Sequence, residues 1–183
     1  PNPLHTAWLG FCFGMGLFCA GVTWIYVSLH DFGAMPMPIA VTALIVLCAY
    51  LSLFPALSGW ILAKLRIASP FIGAWVAAAL WMLFEWLRGT LFTGFPWLAL
   101  GYSQAPYSPL IGFAPIAGVY GISLLLVVSA ALLSLWAETR FKDWRYGLSF
   151  GLIWVSGDGL QSIHWVQPMG EPVSVSLLQG NIP

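Results

Sequence analysis

Long apolar runs separated by short polar stretches make up most of this chain. A membrane-spanning helix needs about 20 mostly apolar residues, and four windows meet or nearly meet that length, at residues 6–29, 39–63, 68–87 and 110–137. A weaker fifth window, at residues 146–160, contains Asp158, and a charge inside a bilayer is costly. The pattern predicts an all-α polytopic membrane bundle over residues 1–165, with about five transmembrane helices.

The pattern changes at the end of the chain. Apolar positions alternate with serines from Val173 to Leu177, and a polar turn follows at residues 179–181. A period of two is typical of a β-strand with one buried face. Residues 166–183 are therefore predicted to be a linker and the first strand of a water-soluble domain.

Composition supports the membrane assignment and excludes one class of partner. Hydrophobic residues form 60% of the 183 residues and charged residues 7%, and the mean hydropathy is +0.89. Soluble domains carry about 25% charged residues. The formal net charge is zero, so the chain lacks the basic field that nucleic-acid binding requires. The 11 tryptophans suit the bilayer interface, where an indole N–H stays hydrated.

The basic residues predict the orientation of the spans. Lys64 and Arg66 follow the second window, and Arg140, Lys142 and Arg145 follow the fourth. Loops separated by two crossings face the same compartment, and an excess of Lys and Arg marks the cytoplasmic side. We therefore expect three other segments to face the external side, which are residues 30–38, residues 88–109 and the terminal strand.

Neither the cysteines nor the histidines form a recognisable reactive or metal-binding pattern. Three cysteines lie in apolar runs without a neighbour that stabilises a thiolate, which favours small core residues. The histidines are far apart near span ends, which favours a structural role over metal ligation. We predict no metal site and no cofactor; the residues are Cys12, Cys19, Cys48, His5, His30 and His164.

The segment at residues 88–109 is the main candidate for a functional surface. Its sequence, RGTLFTGFPWLALGYSQAPYSP, combines helix breakers with aromatic side chains, which suits the level of the lipid headgroups. Just before it, Glu85 and Arg88 lie three residues apart on one helical face. This spacing favours a structural ion pair at the helix end over contact with a substrate.

Five stretches together resemble the bacterial apolipoprotein N-acyltransferases. They are WIYVSLHDFGAMP, FEWLRG, TGFPWLALGYSQ, PLIGFAPIAGVYG and VSLLQGNIP, in an order and spacing that match the family along nearly the whole chain. The resemblance implies an enzyme of the bacterial inner membrane with eight helices and a periplasmic domain of the nitrilase-like α/β fold. This chain would correspond to helices three to seven and the first strand of that domain, with a part preceding Pro1.

The resemblance also implies the reaction and its substrates. The family transfers an acyl chain from a phospholipid to the N-terminal diacylglyceryl cysteine of a lipoprotein, through a cysteine thioester. The Glu, Lys and Cys that perform this chemistry would lie beyond Pro183, so the chain contains no catalytic residue and should be inactive alone. Its expected partners are the phospholipid donor, the lipoprotein acceptor and membrane lipids.

The main residues expected to contact lipid lie in the two external loops, residues 30–38 and 88–109. Tyr26, Tyr102 and Gln104 are weaker candidates, and each aromatic side chain could equally be an interfacial anchor. The main candidates are Phe32, Arg88, Gly94, Phe95, Pro96 and Trp97.

Two other classes of function remain open from the sequence. Relatives of this membrane domain associate with polyprenyl-phosphate mannose synthases, so a non-catalytic anchoring domain that recruits a partner enzyme is the main alternative. A transporter is less favoured, because the first, second and fourth windows contain no charged residue at the bilayer midplane.

Overall fold

Six α-helices account for most of the structure. A computed structural model describes residues 2–167, 169–171 and 173–180. One turn of π-helix, Ser28–Phe32, follows α2, and three short 3-10 helices, Leu91–Thr93, Leu100–Gln104 and Pro109–Phe113, connect α4 to α5. The helices are α1 (Pro3–Gly21), α2 (Trp24–Val27), α3 (Met37–Leu65), α4 (Pro70–Arg88), α5 (Ala114–Glu138) and α6 (Trp144–Gln161).

Local sequence signals begin three of the long helices. The Asn2 side chain accepts a hydrogen bond from the Leu4 N–H at 3.0 Å, and Asp143 accepts one from the Arg145 N–H at 3.2 Å. Ser69 caps α4 in the same way. Such caps satisfy backbone donors that have no partner within the first turn of a helix.

Close packing between α1 and α3 forms one half of the core. A Cβ atom added at Gly10 would meet the Pro55 carbonyl oxygen, and one added at Gly14 would meet Ser52. The glycines therefore allow the two helices to approach closely. Two clusters are buried, Phe18, Val22, Cys48 and Leu51 between α1 and α3, and Ala78, Val128 and Leu132 between α4 and α5.

Only one of the three cysteines is a core residue. Cys48 is fully buried, whereas Cys12 and Cys19 are exposed on the outer surface of α1. The prediction of a core position was therefore wrong for these two. An apolar run of sequence does not distinguish a core-facing position from a lipid-facing one, because both environments favour the same residues.

The outer surface of the bundle is apolar. Large hydrophobic side chains are exposed along the long helices, among them Trp8, Phe13, Val46, Leu57 and Ile72. Four stretches are long and apolar enough to cross a membrane, at Pro3–Gly21, Met37–Leu65, Pro70–Arg88 and Pro109–Glu138. An apolar exterior on such helices indicates a multi-pass membrane protein. The 18-residue α6 is not among the four.

The first span is shorter than predicted. The apolar window extends to residue 29, but α1 ends at Gly21, and the Val22 N–H closes its last turn on the Phe18 carbonyl oxygen at 2.9 Å. The Leu98 side chain packs where a Cβ atom of Gly21 would lie. A distant segment therefore occupies the surface beside the end of this helix.

The predicted terminal strand is not formed in the described residues. Residues 173–180 have no regular secondary structure, and their apolar side chains are exposed. A strand requires neighbouring backbone to pair with its N–H and C=O groups. No strand is found elsewhere in the described part of the chain to provide it.

Candidate functional site

The segment between α4 and α5 has an unusual backbone. Within residues 89–108, which we call the aromatic loop, Phe92, Thr93 and Leu98 have φ values of 51°, 75° and 61°. Gly94 has a φ of 80°. Non-glycine residues rarely adopt positive φ, and they keep it only where the surroundings fix the backbone.

Arg88 provides one of those fixing contacts. Its side chain is only 4% exposed at the end of α4. One guanidinium nitrogen donates to the Phe95 carbonyl oxygen at 2.9 Å and also to the Trp97 carbonyl oxygen. The guanidinium carbon lies 5.2 Å from the centre of the Phe18 ring. Arg88 therefore connects the aromatic loop to α4 and α1.

Glu85 holds the next part of the loop, one turn before Arg88. Its side chain is 5% exposed, and Oε1 accepts hydrogen bonds from the Leu100 N–H at 2.8 Å and the Trp81 indole N–H at 3.3 Å. Among the described residues the direct ion pair is between Arg145 and Asp143, and the Glu85–Arg88 ion pair stays a prediction. Both side chains form hydrogen bonds with backbone groups of the loop.

A serine from α5 completes the set. The Gly101 N–H donates to the buried Ser123 Oγ at 2.8 Å. Glu85, Arg88 and Ser123, which we call the loop clamp, thus bond backbone groups at four successive points of the loop. Hydrogen bonds to charged groups contribute about 1.5–3 kcal/mol each. Together the hydrogen bonds of the clamp are sufficient to offset the backbone strain of a loop with four positive φ values.

A small cavity lies behind the clamp. Its volume is about 20 Å³, and Phe18, Ser58, Trp81, Glu85 and Arg88 are among its lining residues. Glu85 Oε2 is buried there without a hydrogen-bond partner in the described part of the chain. A space of this size fits about one water molecule. It is far too small for a lipid.

The outer surface of the loop is aromatic. Trp97 is 51% exposed, and its ring centre lies 5.1 Å from that of Phe95 and 6.0 Å from that of Trp24. Phe92 and Tyr107 are also exposed. We call Trp24, Phe92, Phe95 and Trp97 the aromatic ledge. The clamp bonds the carbonyl groups of Phe95 and Trp97, so it fixes the backbone of two ledge residues directly.

The structure assigns different positions to the predicted lipid contacts. Trp97 and Pro96 are exposed, Phe95 is half-buried, and Arg88 is buried with its donors directed at the loop. Gly94 lies against the Gly89 backbone, where a Cβ atom would overlap the Gly89 carbonyl oxygen. Gly94 therefore makes a close backbone contact within the protein.

Phe32 lies apart from the ledge contacts. It is 85% exposed at the end of the π-helical turn Ser28–Phe32, and no ring contact of Phe32 is found among the described residues. His30 Nδ1 donates to the Met35 carbonyl oxygen at 2.8 Å, which closes the loop that follows Phe32. The structure thus does not bring Phe32 against Trp97.

The weaker candidates are distributed over the same end of the molecule. The Tyr26 ring packs on His30 at 5.2 Å, and Tyr102 is exposed. Gln104 Nε2 donates to Ser103 Oγ at 2.9 Å. None of these contacts belongs to the clamp.

Sequence reasoning missed Ser123 and Trp24. Ser123 is a small polar residue within the long apolar window of α5, a position that suggests an interhelical hydrogen bond. Trp24 belongs to the stretch WIYVSLHDFGAMP and was counted only among the interfacial tryptophans. Both residues have their partner in the aromatic loop. No local sequence pattern relates that loop to Ser123 or to Trp24.

Metal ligation has no candidate site in the described ranges. No group of three or more His, Cys, Asp or Glu side chains is close enough together there to hold an ion. The three cysteines are free thiols.

Comparison with known sequences decides the family. The sequence model of the apolipoprotein N-acyltransferase N-terminal domain matches residues 2–132. The chain belongs to the apolipoprotein N-acyltransferase family. The matched region contains the loop clamp, the aromatic loop and the ledge, so the site described above lies wholly within the family domain.

Full-length apolipoprotein N-acyltransferases extend well beyond this chain. The chain is 64% identical to the Nitrosomonas europaea protein over 182 residues, covering 100% of the chain and 36% of that relative. Identity is 44% with the Ralstonia nicotianae protein, and 42% with the Chromobacterium violaceum protein over 99% of the chain. The chain spans about a third of the length of these relatives, since it covers 35% of each of the latter two.

Proposed function

We propose that the chain is the membrane portion of an enzyme that acylates lipoproteins, and that its aromatic ledge receives the phospholipid donor. One observation supports this function most directly. Two charged side chains, each about 95% buried, are used to fix the backbone of a loop whose aromatic side chains are exposed. Ionisable residues at membrane depth are costly and usually functional.

In this proposal the chain belongs to the bacterial inner membrane and crosses it five times. The basic residues after α3 and between α5 and α6 favour the cytoplasmic side for that end of the bundle. The aromatic loop and residues 30–38 then face the periplasm, as does the end of the chain. The fifth crossing would be α6, whose exposed Asp158 lies near its periplasmic end.

The acyl transfer itself would take place above the ledge, in the part of the protein beyond Pro183. A cysteine thiolate there would attack the ester carbonyl of the phospholipid and release a lysophospholipid. The free α-amino group of the lipoprotein cysteine would then attack the thioester and regenerate the thiolate. Splitting the transfer in this way means that two bulky lipids need not react with each other directly.

The ledge would position the donor for the first of these steps. Trp97 offers a rigid ring at the surface, and the clamp holds its backbone, so an acyl chain lying on it has few alternative positions. Holding a reacting group in position converts binding into a lower barrier. The membrane supplies the donor laterally, so the site needs an open side instead of an enclosed pocket.

The test is the Trp97→Ala variant of the complete protein. We expect kcat/KM for the phospholipid to fall about three- to tenfold, because an aromatic contact of this kind contributes about 0.5–1.5 kcal/mol. The matched control is Trp8→Ala, since Trp8 is 63% exposed on α1. Unchanged turnover of Trp97→Ala, or an equal loss in Trp8→Ala, would contradict the role of the ledge.

A second experiment concerns the chain by itself. Incubated with phosphatidylethanolamine in detergent, the 183-residue chain should form no thioester, because the proposed nucleophile lies beyond Pro183. Intact mass spectrometry checks this directly. An acyl adduct on Cys12, Cys19 or Cys48 would show that the membrane portion itself carries a nucleophile.

A further inference from the structure

A second concave site lies at the opposite end of the bundle from the aromatic loop. It has a volume of about 430 Å³ and lies between the first turns of α4 and α6. We call it the basic cleft, and its lining residues are Phe71, Asp143, Trp144, Arg145, Tyr146, Leu148 and Ser149. The Phe71 and Tyr146 rings stack across it with their centres 6.5 Å apart.

Positive charge surrounds this cleft. Arg145 lines it with a side chain that is 77% exposed, and Arg140 and Lys142 are exposed in the turn just before it. Asp143 Oδ1 lies 3.4 Å from Arg145 Nε. Glu138, at the end of α5, is the other carboxylate near these three basic side chains, so a local excess of one positive charge remains.

The rim of the cleft is apolar. Trp144 and Leu148 line it and are exposed, and Phe141 is exposed in the preceding turn. Tryptophan at a helix end near basic residues is typical of the membrane interface. Basic pockets between helices at that level are suited to anionic lipid headgroups. Cationic and apolar groups thus lie side by side, as the two parts of a phospholipid require.

We infer that the basic cleft binds one anionic phospholipid, with its phosphate at Arg145 and an acyl chain along Trp144 and Leu148. This site is distinct from the aromatic ledge and takes no part in acyl transfer. Its occupant would hold the start of α6 at the membrane surface. That contribution matters because α6 is less apolar than the four clear spans.

The charge pattern makes the proposal specific enough to test with three matched variants. Arg145→Gln removes the cation in the cleft, whereas Asp143→Asn removes the competing carboxylate. Asparagine also caps helices well, so the start of α6 should be preserved. Lys64→Gln is the control, because Lys64 packs over the Trp60 ring at 5.3 Å on α3 and does not line the cleft.

The experiment is native mass spectrometry of the complete protein in detergent, titrated with phosphatidylglycerol or phosphatidylethanolamine. We expect preferential retention of one phosphatidylglycerol. One basic residue near a headgroup contributes about 1 kcal/mol, so Arg145→Gln should weaken binding about fivefold. Asp143→Asn should strengthen it about two- to fivefold, and Lys64→Gln should change it less than twofold.

Four outcomes would overturn the inference. Equal retention of the two lipids would show that the cleft does not select for a negatively charged headgroup. Unchanged binding of phosphatidylglycerol by the Arg145→Gln variant would show that Arg145 does not contact the phosphate. Displacement of phosphatidylglycerol by inorganic phosphate alone would identify a site for free anions. A complete protein that retains no phosphatidylglycerol would show that the cleft does not bind an anionic phospholipid.

Discussion

Replacing Arg88 by methionine should release the aromatic loop while leaving the helices intact. Methionine fills much of the space of the arginine stem but cannot donate a hydrogen bond. The carbonyl oxygens of Phe95 and Trp97 would lose their charged donor. Glu85 would become a buried carboxylate with no neighbouring cation.

The expected size of the effect follows from these contacts. Hydrogen bonds to charged groups contribute about 1.5–3 kcal/mol each, and two such partly buried bonds are lost. A total of about 3 kcal/mol is a conservative value within that range. If the loop opens locally, its amide hydrogens should exchange about a hundredfold faster, since each 1.4 kcal/mol is a factor of ten.

Hydrogen–deuterium exchange of the complete protein in detergent measures this change. Peptides covering residues 95–104 report on the Leu100 and Gly101 amides, which the clamp bonds directly. Arg145→Met is the control, because that arginine is exposed at the other end of α6 from the loop. Unchanged exchange in residues 95–104 of the Arg88→Met protein would refute the clamp. A global loss of protection would instead show that Arg88 stabilises the whole bundle.

Four further substitutions, at three positions, test individual contacts of the loop. Glu85→Gln keeps the side-chain oxygen that accepts the hydrogen bond from the Leu100 N–H, so the rate of acyl transfer should fall less than threefold. Glu85→Leu leaves the Leu100 N–H without a partner and should lower the rate of acyl transfer more than tenfold. Gly94→Ala should destabilise the loop by about 1–3 kcal/mol, measured as faster exchange of residues 95–104, because both the positive φ and the close backbone contact disfavour a Cβ atom. Ser123→Ala should accelerate exchange of the Gly101 amide about fivefold, and an equal effect throughout α5 would contradict a local role.

The long spans were predictable because hydropathy depends on the chain alone. The window at residues 39–63 corresponds to α3 (Met37–Leu65), and that at residues 68–87 corresponds to α4 (Pro70–Arg88). The end of the first span was not predictable. Residues 22–29 remain apolar after α1 ends at Gly21. The Leu98 side chain, from a segment far along the sequence, packs against Gly21, and this contact is visible only in the folded structure.

The candidate site was predictable in its location but not in its contacts. The spacing of Glu85 and Arg88 allows a pair, and nothing in the local sequence shows that loop backbone groups compete for both side chains. The competition is decided by the inward-facing side of the loop, around the buried residues Ala99 and Gly101, where backbone groups turned away from water must find partners. The terminal strand could not form among the described residues for a related reason, since its pairing partner must come from other backbone.

The position of the acyl donor tests the proposed function most directly. A phosphatidylethanolamine with a photoreactive acyl chain would be cross-linked to the complete protein in membranes, and the modified peptides identified by mass spectrometry. We expect labelling concentrated in residues 92–97 and suppressed by excess unlabelled phosphatidylethanolamine. Labelling spread evenly over exposed residues of the bundle, including Trp8 and Trp144, would show that the aromatic ledge is ordinary lipid-facing surface.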